Sequence, residues 1–286
     1  MTAAVQLMTT PRRRRRRRPP VVVALAFVIL ALALIAVLFG GWLYPDAMRQ
    51  DILSGLLPPG TPGYPLGTDE LGRDVWAMTI AGAASALVGP VIVAIGSMVL
   101  GVVLGTLAGY ERGWLDMVIS RWTDLLLALP VLLAAIVVSG VLGGGYWVTV
   151  ALLILLFSPS DIRIVRAGVL EQSARPYIEA ARMLSLSRWR VMFRHILPNV
   201  STLVLTNMML NVAFALVAFS SLSFLGVGVP PGIADWGRQL TDNRAIMFDN
   251  PLAVVVPALL IILVAASVNL VGDWVGQRMS QVGKAL

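Results

Sequence analysis

The sequence contains no cysteine, one lysine (Lys284) and one histidine (His195). Without cysteine, neither a disulfide framework nor a thiolate metal site can form. A lone histidine does not supply the nitrogen and sulfur ligands of a zinc site. The sequence also has no GxxxxGK[ST] phosphate loop, which requires a lysine in that pattern. We therefore expect no metal, no catalytic residue and no cofactor bound by this chain.

Charge is also scarce, because only 13% of the residues are charged and 58% are hydrophobic. A soluble domain is about a quarter charged, so this composition indicates a polytopic membrane protein. About 20 apolar residues are needed to cross the hydrocarbon as a helix. Lipid offers no partner to unpaired backbone groups, so we predict an all-α fold with six transmembrane helices. The segments lie at about 21–43, 78–109, 115–140, 146–160, 200–225 and 251–273.

Arginine placement predicts the orientation, since basic residues concentrate on the cytoplasmic side. Arg12–Arg18 precede the first segment, which predicts cytoplasmic N- and C-termini for six spans in the cell membrane. With this layout, eighteen of the 22 basic residues lie inside, and only Arg49, Arg73, Arg238 and Arg244 lie outside. The predicted parts are a basic tail (1–20), the first helix (21–43), an extracytoplasmic loop (44–77), a core (78–274) with a cytoplasmic loop at about 161–199, and a tail (275–286).

The seven arginines before the first span allow three interpretations. They could form a nucleic-acid arm, or the positive region of a cleaved signal peptide. The apolar stretch that follows is longer than the apolar core of most signal peptides, which is about 7–15 residues. We favour an uncleaved anchor that contacts anionic lipid headgroups, and we expect no nucleic acid as a partner.

Charged side chains are nearly absent from the predicted spans. Arg121 and Asp124 are the exception, at positions i and i+3 near the inner end of the third span, and we predict a local ion pair facing protein. A proton relay normally needs several acidic or histidine groups at depth. The energy for transport must then come from another protein, unless the chain is a self-sufficient carrier or a channel.

Polar side chains elsewhere leave alternatives open. Asn207 and Asn211 lie one turn apart in the fifth span. They could line a translocation path or form hydrogen bonds between helices, and the second role is common for amides in spans. In the second extracytoplasmic loop, Asp235 and Asp242 could meet a binding protein, although a solvated surface is the simpler expectation.

The stretch YIEAARMLSLSRWRVMFRHILPN, from Tyr177 to Asn199, is the most basic cytoplasmic segment after the N-terminus. Its spacing predicts two short helices, with Pro176 in the first turn and Ser187 as a plausible N-cap of the second. Apolar residues recur at helical intervals in both: Tyr177, Ala180, Ala181 and Leu184, then Trp189, Met192, Phe193 and Ile196. From composition alone, two interpretations of this segment are equally open. It is either a basic interfacial loop or a docking element for a cytoplasmic partner.

The same stretch resembles the EAA loop of bacterial ABC-importer permeases. Glu179, Ala180 and Ala181 match the Glu-Ala-Ala of that loop, and Leu197 and Pro198 match its Leu-Pro. The position of its glycine is taken by Ser185, which costs roughly 1 kcal/mol if the backbone is left-handed there.

Four further blocks resemble the C-type subunits of dipeptide and oligopeptide permeases, and the likeness runs from about residue 21 to residue 284. The blocks are YPLGTDELGRD, LDMVISRWTDLLLALPVLLAA, SSLSFLGVGVPPGIADWG and NLVGDWVGQRM. Two of them depart from the family pattern, with Pro230 where glutamine is common and with Gln277-Arg278 in place of Arg-Asp.

The resemblance implies a permease subunit of an importer of short peptides. Its implied partners are a second homologous permease subunit, two ATPase subunits that carry ATP and Mg²⁺, and an extracytoplasmic substrate-binding protein. It implies ATPase coupling through Glu179, Ala180, Ala181, Leu184, Ser185, Leu197 and Pro198. Nickel, glutathione or another small solute remains open as cargo, because the same blocks occur in such relatives.

Overall fold

A computed structural model describes residues 20–283, with side chains described to residue 279. The arginine run Arg12–Arg18 and Lys284 lie outside the described residues, so the predictions made for them stay predictions. In the described part the regular elements are helical, and no strand occurs beyond two isolated bridges. The α-helices are α1 (Val21–Leu43), α2 (Val75–Ala81), α3 (Ala83–Glu111), α4 (Gly113–Leu127), α5 (Val131–Leu142), α6 (Tyr146–Ser173), α7 (Pro176–Met183), α8 (Arg188–Arg190), α9 (Leu197–Phe224), α10 (Trp236–Asp242) and α11 (Leu252–Gly283).

Three shorter elements complete the described chain. Two 3₁₀ turns lie at Ile52–Ser54 and Arg244–Ile246, and a π-helical stretch at Val191–Ile196 leads into α9. Five helical stretches are long and apolar enough to cross a membrane within the described residues, and α4 with α5 makes a sixth if the pair counts as one span. The prediction of an all-α polytopic fold is confirmed.

The fourth and third spans differ most from the prediction. The fourth was predicted to end at residue 160, but α6 continues to Ser173 because Val165 and Val169 pack in the core beyond the apolar run. The third is broken between α4 and α5, whose axes differ by 87°. Pro130 stands at this break, and a proline lacks an N–H and disfavours helical geometry at the residue before it.

The centre of the bundle is the packing of α3 against α6. Glycines on α3 face α6 so closely that a Cβ on Gly105 would lie 2.7 Å from the carbonyl oxygen of Ile162, and one on Gly109 would lie 2.9 Å from that of Arg166. Such small residues let helix backbones approach in a membrane, where no hydrophobic effect drives the helices together. The two helices run in the same direction, since Gly89 lies by Tyr146 and Gly109 by Val169.

The bundle has two different ends. We call the end that carries residues 44–74 and 226–250 the loop-rich end. The opposite end, which we call the arginine-rich end, carries residues 174–196. The chain crosses from α6 to α9 there, and both helices continue directly out of the bundle core.

Candidate functional site

The segment that joins α6 to α9, residues 176–196, is called here the coupling segment. It begins with α7, where Pro176 is in the first turn as predicted. The helix ends in a Schellman motif: Leu186 N–H donates to Ala181 O at 3.4 Å, and Ser185 N–H donates to Arg182 O at 2.9 Å. Ser185 has φ = 55°, so its backbone is left-handed. The family's glycine position therefore needs the conformation that glycine adopts most readily.

The second half of the coupling segment starts at Ser187, whose side chain caps α8 by accepting from Arg190 N–H at 3.4 Å. This confirms the predicted N-cap. The chain then becomes π-helical over Val191–Ile196 before α9 begins at Leu197. Pro198 lies in the first turn of α9 and has no N–H to donate to the carbonyl of Arg194. Pro198 therefore suits the start of α9.

One side of the coupling segment is part of the core. Ile178, Val191 and Ile196 are fully buried and belong to the same cluster as Val165 and Val169 of α6. Each of the two predicted apolar faces is therefore partly buried in the core and partly exposed at the surface. Ala181, Met192 and Ile196 point inward, whereas Tyr177, Ala180, Leu184, Trp189 and Phe193 are exposed.

The outward side presents large apolar groups that no other described residue covers. Met183 is 78% exposed, Leu184 76% and Trp189 61%, and the ring of Phe193 stacks on Trp189 at 5.6 Å. Glu179 is exposed beside them. We call this side the outward edge. A helical segment that exposes its largest apolar side chains has the composition of an interaction surface.

Two contacts attach the coupling segment to the end of α3. Arg188 forms an ion pair with Glu111 at 3.0 Å, and the guanidinium of Arg182 lies 5.1 Å from the ring centroid of Tyr110. Both arginines therefore hold the segment to the bundle, in addition to satisfying the charge bias of this end.

The predicted ion pair between Arg121 and Asp124 is replaced by pairs between helices. Asp124 accepts from Arg163 of α6 at 2.6 Å. Asp116, earlier on α4, accepts two bonds from Arg166 at 2.5 and 2.7 Å. The extension of α6 past residue 160 brings both of these arginines onto the face that meets α4, which the shorter predicted span did not allow.

The amides of Asn207 and Asn211 both donate to one carboxylate oxygen of Asp161, each at 2.6 Å. The structure thus shows the interhelical role that was one of the two alternatives. Asp161 is fully buried, and its other oxygen has no hydrogen-bond partner among the described residues. Sequence reasoning missed Asp161 because it stands one residue beyond the predicted end of the fourth span. The two amides that face it were the available signal.

At the loop-rich end, the charges of the two loops form one network. Arg73 pairs with Asp69 at 2.6 Å and reaches Asp242 at 3.3 Å, and Asp242 in turn accepts from Arg238 at 3.0 Å. Arg73 and Asp69 are buried. The YPLGTDELGRD block of the first loop thus meets α10 of the second loop through charged residues.

Asp235 is also buried, contrary to the solvated surface that was expected for it and for Asp242. It caps α10 by accepting from Arg238 N–H at 3.0 Å, and it lies 3.3 Å from Ser85 Oγ of α3. Burial raises the pKa of this carboxyl to about 6, and the hydrogen bonds from the backbone and from Ser85 and Ser223 oppose that rise. The neighbouring Trp236 donates from Nε1 to the carbonyl of Thr79 at 2.8 Å.

Residues 101–281 match the family described as "Binding-protein-dependent transport system inner membrane component". The chain belongs to this family. Among curated relatives, it is 33% identical to the glutathione transport system permease protein GsiD of Pectobacterium atrosepticum, over 87% of this chain and 84% of the relative. It is 34% identical to the di/tripeptide transport system permease protein DppC of Pseudomonas aeruginosa, over 86% of this chain and 83% of the relative.

The fold agrees with this membership. The solved inward-facing MetNI methionine ABC transporter contains a chain that is similar to this one with a TM-score of 0.59 and 15% identity, over 70% of this chain and 95% of the other. The family match covers the coupling segment, the Asp161 cluster and α10, while α1 and the first loop precede it. The outward edge therefore lies within the part of the chain that matches the family.

Proposed function

We propose that this chain is the permease subunit of an ATP-driven importer that carries short peptides across the cytoplasmic membrane. The single observation that carries the proposal is the outward edge, where Met183, Leu184 and Trp189 are exposed at the end of a permease-family bundle. Membership in a family of binding-protein-dependent inner-membrane components supports transport. The relatives named for di/tripeptides and for glutathione support a short peptide as cargo.

The proposed assembly places the arginine-rich end and both termini in the cytoplasm. Two ATPase subunits bind ATP and Mg²⁺ there, a second homologous permease subunit completes the membrane part, and an extracytoplasmic binding protein delivers cargo to the loop-rich end. The absence of a GxxxxGK[ST] sequence supports this division, since the chain cannot hold ATP by a phosphate loop. The chain itself contributes no catalytic residue in this scheme.

The coupling segment carries the motion of the ATPases into the bundle. Glu179, Ala180 and Leu184 present the docking side, while Ala181 and Ile178 hold the segment to the core of α6. The turn at Ser185 joins its two helical pieces, and Leu197 and Pro198 begin α9, which supports their inclusion in the same unit. Because α6 enters the segment and α9 leaves it, a displacement of the segment acts on both helices, as rocking motions between two access states require.

Asn207 and Asn211 stay candidates for the lining of the translocation path. In the present conformation both amides are occupied by Asp161. Contact with cargo would therefore require α9 to move away from α6. This requirement distinguishes the path role from a purely structural one.

Glutathione is the second candidate cargo, favoured by the names of relatives from Pectobacterium atrosepticum and Escherichia coli, at 33% and 35% identity. Both cargoes use the same machinery, so competition separates them. We expect excess unlabelled dipeptide to reduce the uptake of a labelled dipeptide more strongly than excess glutathione does. The opposite order would assign glutathione.

The decisive experiment is uptake by the complete transporter in proteoliposomes, with ATP hydrolysis measured in parallel. We expect Leu184→Asp combined with Glu179→Ala to lower uptake at least tenfold while hydrolysis persists, because a charge on the outward edge prevents docking. Glu179→Ala combined with Leu184→Met is the matched control, since methionine keeps position 184 of the outward edge apolar. Wild-type uptake in the double variant would contradict the docking role, and uptake that does not need ATP would indicate a self-sufficient carrier or channel.

A further inference from the structure

Helix α4 exposes an apolar stripe along its whole length. Thr123 is its only buried residue. The exposed residues recur at helical spacing and include two tryptophans, with exposures of 68% for Trp114, 60% for Met117, 52% for Val118, 49% for Trp122 and 67% for Leu125. Arg121 is exposed in the middle of this stripe.

The side of α4 that contacts the protein carries Asp116, Ser120 and Thr123 beside half-buried apolar residues. Asp116 and Asp124 bind Arg166 and Arg163 of α6, and Ser120 donates to Asp116 at 3.1 Å. In a water-soluble protein the polar face of a helix points outward and the apolar face points to the core. The most exposed positions of α4 are instead apolar, which indicates that the surroundings of α4 are at least partly apolar.

The ion pairs also show how α4 is oriented. Asp116 and Asp124 are separated by about 12 Å along α4, while their partners Arg166 and Arg163 are separated by only about 4.5 Å along α6. The two helices therefore cross steeply. The 87° angle between α4 and α5 agrees with this, so α4 lies across the end of the bundle.

The depth of α4 follows from the length of α6. Arg163 and Arg166 lie about 26 and 30 Å from Tyr146 along that helix. The hydrocarbon core of a bilayer is about 30 Å thick, so a bundle whose outer boundary is near Tyr146 places α4 at the opposite boundary. The 12 residues of α5 cover about 18 Å of this depth, and residues 128–130 connect α5 to α4.

We propose that α4 is an interfacial helix, with its apolar stripe seated in the acyl-headgroup boundary of the leaflet at the arginine-rich end and with Arg121 at the lipid phosphates. Tryptophan is enriched at this depth because its ring is apolar and its N–H is polar. An arginine with an apolar stem extends its charge to the headgroups, where anionic lipid attracts it. Helix α4 thus has the apolar face, the tryptophans and the basic charge of an interfacial helix. In addition, its acidic side chains contact the protein.

The absence of cysteine makes the test direct, because each introduced cysteine is the only one in the chain. We would place a nitroxide at Met117→Cys, Val118→Cys or Leu125→Cys in the complete transporter, in vesicles of phosphatidylcholine with phosphatidylglycerol. Collision with oxygen should exceed collision with a water-soluble nickel chelate by at least threefold at each site, with a depth of a few ångströms below the phosphates. Leu133→Cys on α5 is the reference for a label in the hydrocarbon, and Asp249→Cys at the loop-rich end is the reference for a label in water.

Two results would overturn the proposal. Labels that collide mainly with the nickel chelate would place the stripe in water. Labels that are immobilised and protected from both reagents would indicate that a second permease subunit or an ATPase covers it.

The role of Arg121 is tested separately with spin-labelled phosphatidylglycerol. Arg121→Gln should lower its contact with the Val118 label about twofold relative to labelled phosphatidylcholine, whereas Arg244→Gln at the other end should not. An equal effect of both variants, or no effect of Arg121→Gln, would contradict the headgroup contact.

Discussion

At the loop-rich end Asp69, Arg73 and Trp236 are buried inside the chain, whereas in the coupling segment the largest side chains point outward. Arg73 is only 6% exposed and Trp236 only 2%, against 76% for Leu184. The four-charge network and the Trp236 hydrogen bond brace the two loops without a partner protein. The outward edge of the coupling segment, in contrast, leaves Met183, Leu184 and Trp189 largely exposed.

The contrast between the loop-rich end and the coupling segment shows that a distinctive sequence block need not mark a contact surface. The blocks at the loop-rich end are explained by internal structure: Asp69 accepts from Leu71 N–H and Arg73 N–H, and Asp74 caps α2. The coupling segment has internal devices too, in its Schellman turn and its N-cap. Exposed apolar side chains also occur at the loop-rich end, at Leu53 and Phe248, but the coupling segment groups them between α6 and α9, and the docking proposal rests on that grouping.

The largest effect in this comparison is expected from Arg73→Met. The substitution leaves the buried carboxylate of Asp69 without its cation, and breaking a buried pair in this way costs about 3–5 kcal/mol. Thermal unfolding of the detergent-solubilised protein should show a marked loss of stability. Arg244→Met, at an exposed position of the same end, should change it by less than about 0.5 kcal/mol. Equal effects of the two variants would show that the network does not brace the loops.

An intermediate effect is expected from Asp235, which lies outside the candidate spans. Its folded pKa of about 6 is higher than the usual 3.8, so the folded protein binds a proton that the unfolded chain has released between these values. Stability should therefore fall as the pH rises from about 4 to about 6 and stay constant above. The difference between the two pKa values corresponds to at most about 3 kcal/mol.

Asp235→Asn removes this titration and keeps an acceptor for the cap of α10. We expect its unfolding midpoint to change less between pH 4 and pH 7 than that of the wild type. Asp249→Asn, at an exposed position of the same loop, should keep the wild-type profile. A wild-type profile in Asp235→Asn would mean that another group titrates in this range.

Composition and local spacing predicted the spans and the start signals of the coupling segment. The apolar run alone located α1, whose bounds Val21–Leu43 agree with the prediction. Pro176 and Ser187 act locally, so their roles as first-turn residue and N-cap could be read from neighbours in the sequence.

Contacts between distant residues could not be predicted in the same way. The pairing of Asp116 with Arg166 and of Asp161 with Asn207 depends on how far α6 extends and on its register against α4 and α9. Charge spacing within one helix suggested a pair of Arg121 with Asp124, but the structure pairs Asp124 with Arg163. The third span was predicted as one segment, and its break at Pro130 with an angle of 87° depends on the tertiary contacts of α4.

The smallest effect is expected at Ser185, which lies in the turn of the coupling segment. Its left-handed backbone costs roughly 1 kcal/mol with a Cβ and almost nothing with glycine, so Ser185→Gly should stabilise the turn by about that amount. Ser185→Ala is the matched control, because it keeps the Cβ and should gain nothing. Hydrogen–deuterium exchange of residues 180–187 should slow about fivefold in the glycine variant only. If both variants exchange alike, strain at Ser185 is relieved elsewhere. If only glycine slows exchange and uptake is unchanged, the serine affects the stability of the turn alone, and docking depends on the outward edge.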